Sequence, residues 1–105
     1  MGDPLFEVLT PLGFVVRCTR AYWERVILEK HPVLRGREED VRLALLEPDE
    51  VRRSSKDAAV LLFYRGSKPR WMCAVTKRED ESGFVVTAYP TDAVKIGETV
   101  WTRSR

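Results

Sequence analysis

Histidine occurs once in this chain, at position 31, and it is the side-chain type whose unperturbed pKa lies near neutrality. It closes the segment Trp23-Glu24-Arg25-Val26-Ile27-Leu28-Glu29-Lys30-His31-Pro32, with Lys30 before it and Arg35 and Arg37 soon after. A histidine among several cations has the makings of a phosphate site. The second chemistry-bearing segment is Phe84-Val85-Val86-Thr87-Ala88-Tyr89-Pro90-Thr91-Asp92, which reads as a strand ending in hydroxyls. Strand alternation puts Phe84, Val86 and Ala88 on one face, to pack under helices, and Val85, Thr87 and Tyr89 on the other, toward a cleft. If the fold sets His31 beside Tyr89, Thr87 and one of Arg35, Arg37 or Arg65, the chain has the acid/base group, hydroxyls and cations for metal-independent phosphodiester chemistry. Each residue also has a plain structural use. An imidazolium near a helix carboxyl end is favoured by the dipole, and Thr and Tyr are good strand formers.

Other chemistries find little support. One histidine with no carboxylate or cysteine cluster cannot complete a coordination shell, so neither a metal nor a cofactor is expected. Cys18 and Cys73 form no C-x-x-C pair, sit in apolar runs, and are expected to be buried reduced thiols. There is no phosphate-binding glycine loop, nucleophile elbow or dinucleotide fingerprint. The first residues, Met1-Gly2-Asp3-Pro4-Leu5, lack the basic-then-apolar pattern of a secretory leader, and no apolar stretch approaches a membrane span. The expected location is cytoplasmic, with no membrane partner.

Charge is unevenly placed. Residues 1–50 carry 7 basic and 10 acidic side chains, residues 51–105 carry 11 and 6, and arginine outnumbers lysine 13 to 5. Arginine is the better bidentate phosphate ligand, so the basic half is compatible with RNA, although base composition or heat adaptation produces the same bias.

At 105 residues with 44% apolar side chains, one domain with one core is expected. Residues 1–18 read as two short strands around Pro11-Leu12-Gly13. Residues 19–47 read as two helices: one capped by Thr19 with Tyr22, Trp23, Val26 and Ile27 on its buried stripe and stopped by Pro32, the other from about Arg37 to Glu47 with Val41, Ala44, Leu45 and Leu46 inward. Residues 50–101 read as an antiparallel meander, with turns at Gly66-Ser67-Lys68-Pro69 and at Arg78–Gly83. The expected class is α+β, with two helices packed on one face of a four- to five-stranded antiparallel sheet.

Three strings carry a resemblance: Ile27-Leu28-Glu29-Lys30-His31-Pro32, Leu46-Glu47-Pro48-Asp49-Glu50-Val51-Arg52-Arg53-Ser54, and Gly83 through Asp92. In that order, spanning roughly residues 20–101, they resemble a group of small prokaryotic proteins placed beside the barnase–EndoU–colicin–RelE-like ribonucleases and toxins. The resemblance implies RNA cleavage without a metal, by attack of the ribose 2′-oxygen on the adjacent phosphorus. It implies His31 as acid/base, Lys30, Arg35, Arg37 or Arg65 on phosphate, and Tyr89 or Thr87 positioning or protonating an oxygen. It also implies RNA and an antitoxin-like protein as partners. Val33 departs from the pattern, which has an acidic residue after His-Pro, so one candidate base is missing. Fold likeness does not carry activity with it. The alternative is a non-catalytic RNA- or protein-binding module using Arg52, Arg53, Lys56, Arg65, Lys68 and Arg70, with Trp71 and Tyr64 as stacking faces. A homodimer formed through a free sheet edge is a third outcome.

Overall fold

Alternating apolar residues at the amino terminus form two paired strands, β1 (Pro4–Leu9) and β2 (Val15–Thr19), whose Phe6, Val8, Val16 and Cys18 point into the core. Gly13 takes φ +87° in the turn between them, a conformation that glycine adopts without penalty. The structure, a computed structural model, describes residues 3–104. Met1 and Gly2, part of the amino-terminal stretch read as lacking a leader, lie outside the described residues.

Thr19 ends β2 and caps the first helix, α1 (residues 20–30), its Oγ1 accepting from the Tyr22 N–H at 3.1 Å. The middle of α1, Trp23–Ile27, is a π-turn in which the Leu28 N–H donates to the Trp23 carbonyl five residues back. The wider turn carries Leu28 onto the buried side with Trp23 and Ile27, and leaves Val26 41% exposed. The expected stripe, drawn with an α-helical period, included Val26 and omitted Leu28. A 3-10 turn at Pro32–Leu34 follows, then α2 (Glu38–Leu46). Glu38, Glu39 and Asp40 occupy the first turn of α2, the favourable sign against its dipole, and Val41, Ala44 and Leu45 face the core. Leu46, expected inward, is 38% exposed.

The remaining strands are β3 (Glu50–Ser54), β4 (Val60–Ser67), β5 (Arg70–Glu79), β6 (Ser82–Thr91) and β7 (Gly97–Thr102). One seven-stranded sheet results, ordered β1-β2-β6-β5-β4-β3-β7. This corrects the expected four- to five-stranded antiparallel sheet: the amino-terminal hairpin joins it through parallel pairing of β2 with β6, making the sheet mixed. Hairpin turns advertise antiparallel neighbours along the chain, whereas a parallel partner far away in sequence leaves no local mark. β7 likewise closes onto β3 instead of following β6.

Most of the core lies on one sheet face, where Val16, Val51, Phe63, Ala74 and Val85 meet Trp23, Ile27, Leu34, Val41 and Leu45. Burying a side chain of this size contributes about 1.5–3 kcal/mol. The other face carries a smaller layer of Leu62, Tyr64 and Cys73, flanked by Val60, Trp71, Val75, Tyr89 and Val94.

Two irregularities set the site. β2 pairs with β6 only from Ser82 to Phe84, and α1 continues along the β6 edge that β2 leaves open. There the Tyr22 Oη donates to the Val86 carbonyl at 2.8 Å. A β-bulge in β6, where Thr76 pairs with Val85 but Val75 with Thr87, leaves Val86 as the extra residue. The simple alternation expected for this strand therefore breaks: Val85 and Ala88 share the core face, Phe84 is 36% exposed, and Thr87 and Tyr89 belong to the opposite face.

Candidate functional site

Cross-strand register defines the floor of the site. Arg52, Leu62, Val75 and Thr87 form one row across β3, β4, β5 and β6, and Glu50, Tyr64, Cys73 and Tyr89 form the next. Because α1 runs beside β6 at the sheet edge, the residue that ends it can reach this second face. The His31 ring centre lies 5.8 Å from that of Tyr89, with the planes inclined at 43°. The π-turn contributes to this placement, since it sets the rotation at which Lys30 and His31 leave the helix.

A cleft of about 630 Å³ opens here, lined by Lys30, His31, Thr87 and Tyr89 together with Arg52, Arg53, Ser54, Ser55, Lys56 and Lys95, over an apolar floor of Val60, Leu62 and Val75. No aspartate or glutamate is among its lining residues. Two of its five formal cations are partly neutralised: Arg52 by Glu50 and the Gly97 carbonyl, Arg53 by Glu98 and the Ala58 carbonyl. Lys30, Lys56 and Lys95 have no carboxylate partner among the described residues, and the Lys95 ammonium stands 5.6 Å over the Tyr89 ring. The Lys95 backbone N–H donates to Tyr64 Oη at 3.1 Å, which straps the 92–96 segment across the tyrosine row. With no internal carboxylates, the cleft is suited to an anion.

The hydroxyls on the floor are unusual. Thr87 Oγ1 and Tyr89 Oη are both buried and have no hydrogen-bond partner among the described residues. An unmet buried hydroxyl costs about 1–3 kcal/mol, so two side by side beneath one cleft are a polar cost that the described residues do not offset. Tyr89 Oη lies close enough to the Cys73 thiol and Tyr64 phenol for the three to influence each other's titration, without good hydrogen-bond geometry to either. Burial first, then the Cys73 thiolate charge, drives the Tyr89 pKa well up. Burial pushes Tyr64 up to about 12 and Cys73 to about 11. All three remain neutral near pH 7. His31 meets Tyr89 as a tilted ring pair and makes no hydrogen bond to its oxygen.

Of the residues singled out by sequence, His31, Lys30, Thr87 and Tyr89 come together. Arg35 lines neither main cleft, and Arg37 and Arg65 line a second one, with Trp71, at the far end of β5 and β6. The first cleft's other cations come from Arg52, Arg53, Lys56 and Lys95. In sequence the first three read only as a general basic surface. Their signal was the Arg-Arg-Ser-Ser-Lys run leaving a strand, and the register that aligns Arg52 with Thr87 could not be read without the sheet order. Among the described residues no group of three or more histidine, cysteine or acidic side chains could hold a metal ion, and no helix is long and apolar enough to cross a membrane. Cys18 and Cys73 are buried free thiols.

Comparison of the chain with protein-family models, curated proteins and solved structures gave no match.

Proposed function

We propose that this domain binds single-stranded RNA through a phosphodiester seated in the His31 cleft and cleaves it without a metal. The observation that carries the proposal is the meeting of the sole histidine with Thr87, Tyr89 and three unpaired lysines in a cleft whose lining holds no carboxylate. In the proposed reaction His31 takes the proton from the ribose 2′-hydroxyl as its oxygen forms a bond to phosphorus. The bond from phosphorus to the 5′-oxygen then breaks, and the imidazolium returns its proton to that leaving oxygen. The products are a 2′,3′-cyclic phosphate and a 5′-hydroxyl. Lys56, Lys95 and Arg52 offset the charge of the pentacoordinate intermediate, and Thr87 Oγ1 donates to a non-bridging oxygen. Tyr89 holds the imidazole against its ring.

The test is incubation of RNA with wild type and His31→Ala in excess chelator, reading cyclic-phosphate ends. Loss of a positioned acid/base group lowers such a rate by about 100-fold or more. Cleavage unchanged in His31→Ala overturns the assignment. A second reading, RNA binding without cleavage, is favoured by one observation: no carboxylate or hydroxyl among the described residues hydrogen-bonds the His31 ring, and the Tyr89 oxygen is buried. On that reading both proteins bind RNA alike and neither cuts it.

A further inference from the structure

We propose that the apolar floor of the His31 cleft is a nucleobase subsite, in which one base of the bound strand lies over Val60, Leu62 and Val75 against Ile96; this rests on the RNA reading above. A phosphodiester carries a nucleoside on either side, so a strand seated at His31 and Thr87 must lay a base beside them. In the row that crosses the sheet, Thr87 is followed by Val75 and then Leu62. Apolar side chains thus continue from the phosphate position for two strand spacings, about 10 Å. Leu62 is buried, whereas Val75 and Val60 are half-buried and line the same cleft, which leaves apolar surface for a ligand to cover.

Ile96 supplies a side wall. It lines the cleft and is 92% exposed, the most exposed large apolar side chain among the described residues. Its neighbours fix it on both sides. The Lys95 N–H is held by Tyr64 Oη at 3.1 Å, and Gly97 enters β7 so close to β3 that a Cβ there would strike the Arg53 carbonyl oxygen. An isoleucine held at a cleft with its surface in water favours any ligand that covers it. The β3 side of the cleft is polar. Ser54 and Ser55 line it, and Ser54 Oγ already accepts from the Lys56 N–H at 3.1 Å, which leaves its own O–H to donate. A hydroxyl serves either the donors or the acceptors on a base edge. An acyl chain would suit the floor but would leave these hydroxyls unused. A flat base with apolar faces, a polar edge and a phosphate beside it matches the floor, the serines and the cations together.

The experiment is calorimetric titration of the full chain with two uncleavable 2′-O-methyl tetranucleotides of identical backbone, one carrying cytosines and one abasic. Each methylene-sized group withdrawn from water raises affinity about fourfold, so the cytosine chain is expected to bind about 10-fold tighter or more. Ile96→Ser, at a position too exposed to disturb folding, lowers cytosine-chain affinity about fourfold or more and leaves abasic binding as in wild type. Equal wild-type affinity for the two chains overturns the subsite while the phosphodiester reading stands, as does an Ile96→Ser protein with the wild-type preference intact. Octyl phosphate that displaces the abasic chain at lower concentration than cytidine monophosphate gives the floor to an acyl chain and likewise overturns the subsite. No binding of either tetranucleotide overturns the RNA reading, and the subsite with it.

Discussion

The imidazole of His31 and the phenol ring of Tyr89 lie 5.8 Å apart between centres at 43°, although one ends a helix and the other sits near the end of a strand far along the chain. The contact is a ring contact: the Tyr89 oxygen is buried away from solvent with no hydrogen-bond partner. The hydroxyl and the ring can therefore be separated by substitution. Tyr89→Phe removes an unmet polar atom and keeps the ring, so stability is expected to rise by up to about 1 kcal/mol with RNA cleavage retained. Tyr89→Ala removes the ring that holds His31, and cleavage is expected to fall at least tenfold with a loss of about 3–5 kcal/mol of stability. Urea unfolding and initial rates on one RNA measure both, and a Tyr89→Phe protein as inactive as His31→Ala would make the hydroxyl the functional group.

Thr87 offers the complementary case. Its Oγ1 is also buried and unpartnered, but it lines the cleft on the row of Arg52. Thr87→Val preserves shape and β-branching while deleting the oxygen. Stability is expected to increase by about 1 kcal/mol and RNA affinity or cleavage to drop, the opposed pair of effects that follows when a polar group is kept for a ligand. A valine variant that is less stable than wild type would mean that the hydroxyl has its partner within the fold.

The salt dependence of RNA binding counts the cations in use. Lys30, Lys56 and Lys95 have no carboxylate partner among the described residues, whereas Arg52 and Arg53 are tied to Glu50 and Glu98. Each phosphate contact contributes about 0.7 to the slope of log affinity against log salt for a single strand, so three free lysines give a slope of about −2. Lys95→Ala is expected to reduce that slope by about 0.7, and Arg53→Ala by less. A slope near zero in wild type would remove the electrostatic basis of the cleft.

Much of the local structure was legible in the residues. Thr19 as a cap, Pro32 as a helix stop, acidic residues opening α2 and apolar runs at Ala59–Arg65 and Trp71–Lys77 each act through their immediate neighbours. Two features were not legible because they arise from distant packing. The bulge at Val86 changes which residues of β6 share a face, and its carbonyl is satisfied by Tyr22. The parallel pairing of β2 with β6 then ends early enough for α1 to run along the sheet edge and deliver His31 to the far face. The meeting of His31 with Thr87 and Tyr89 could be posed from sequence as a condition. Its cations could not be assigned, because Arg52 aligns with Thr87 only through the register of three strand pairs.

The buried Cys73 thiol makes alkaline stability a test of the tyrosine row. Burial raises its pKa from 9.0 to about 11, and Tyr64 beside it rises from 10.0 to about 12. Both groups are neutral when protonated, so the folded state holds their protons more tightly than the unfolded chain does. Their contribution is complete below about pH 9, where both states are protonated, and is lost as pH climbs through the folded-state values. One pKa unit corresponds to about 1.4 kcal/mol, so the Cys73 shift alone is worth about 3 kcal/mol, of which about 2 is gone by about pH 10.5. Cys73→Ala lowers stability at pH 8 through the cavity it leaves, but its stability is expected to fall less steeply between pH 8 and 10.5 than that of wild type. Urea unfolding at the two pH values measures the slopes. Equal slopes in the two proteins would mean that the Cys73 thiolate is reached without disturbing the fold, and that the layer beneath Tyr89 is open to water.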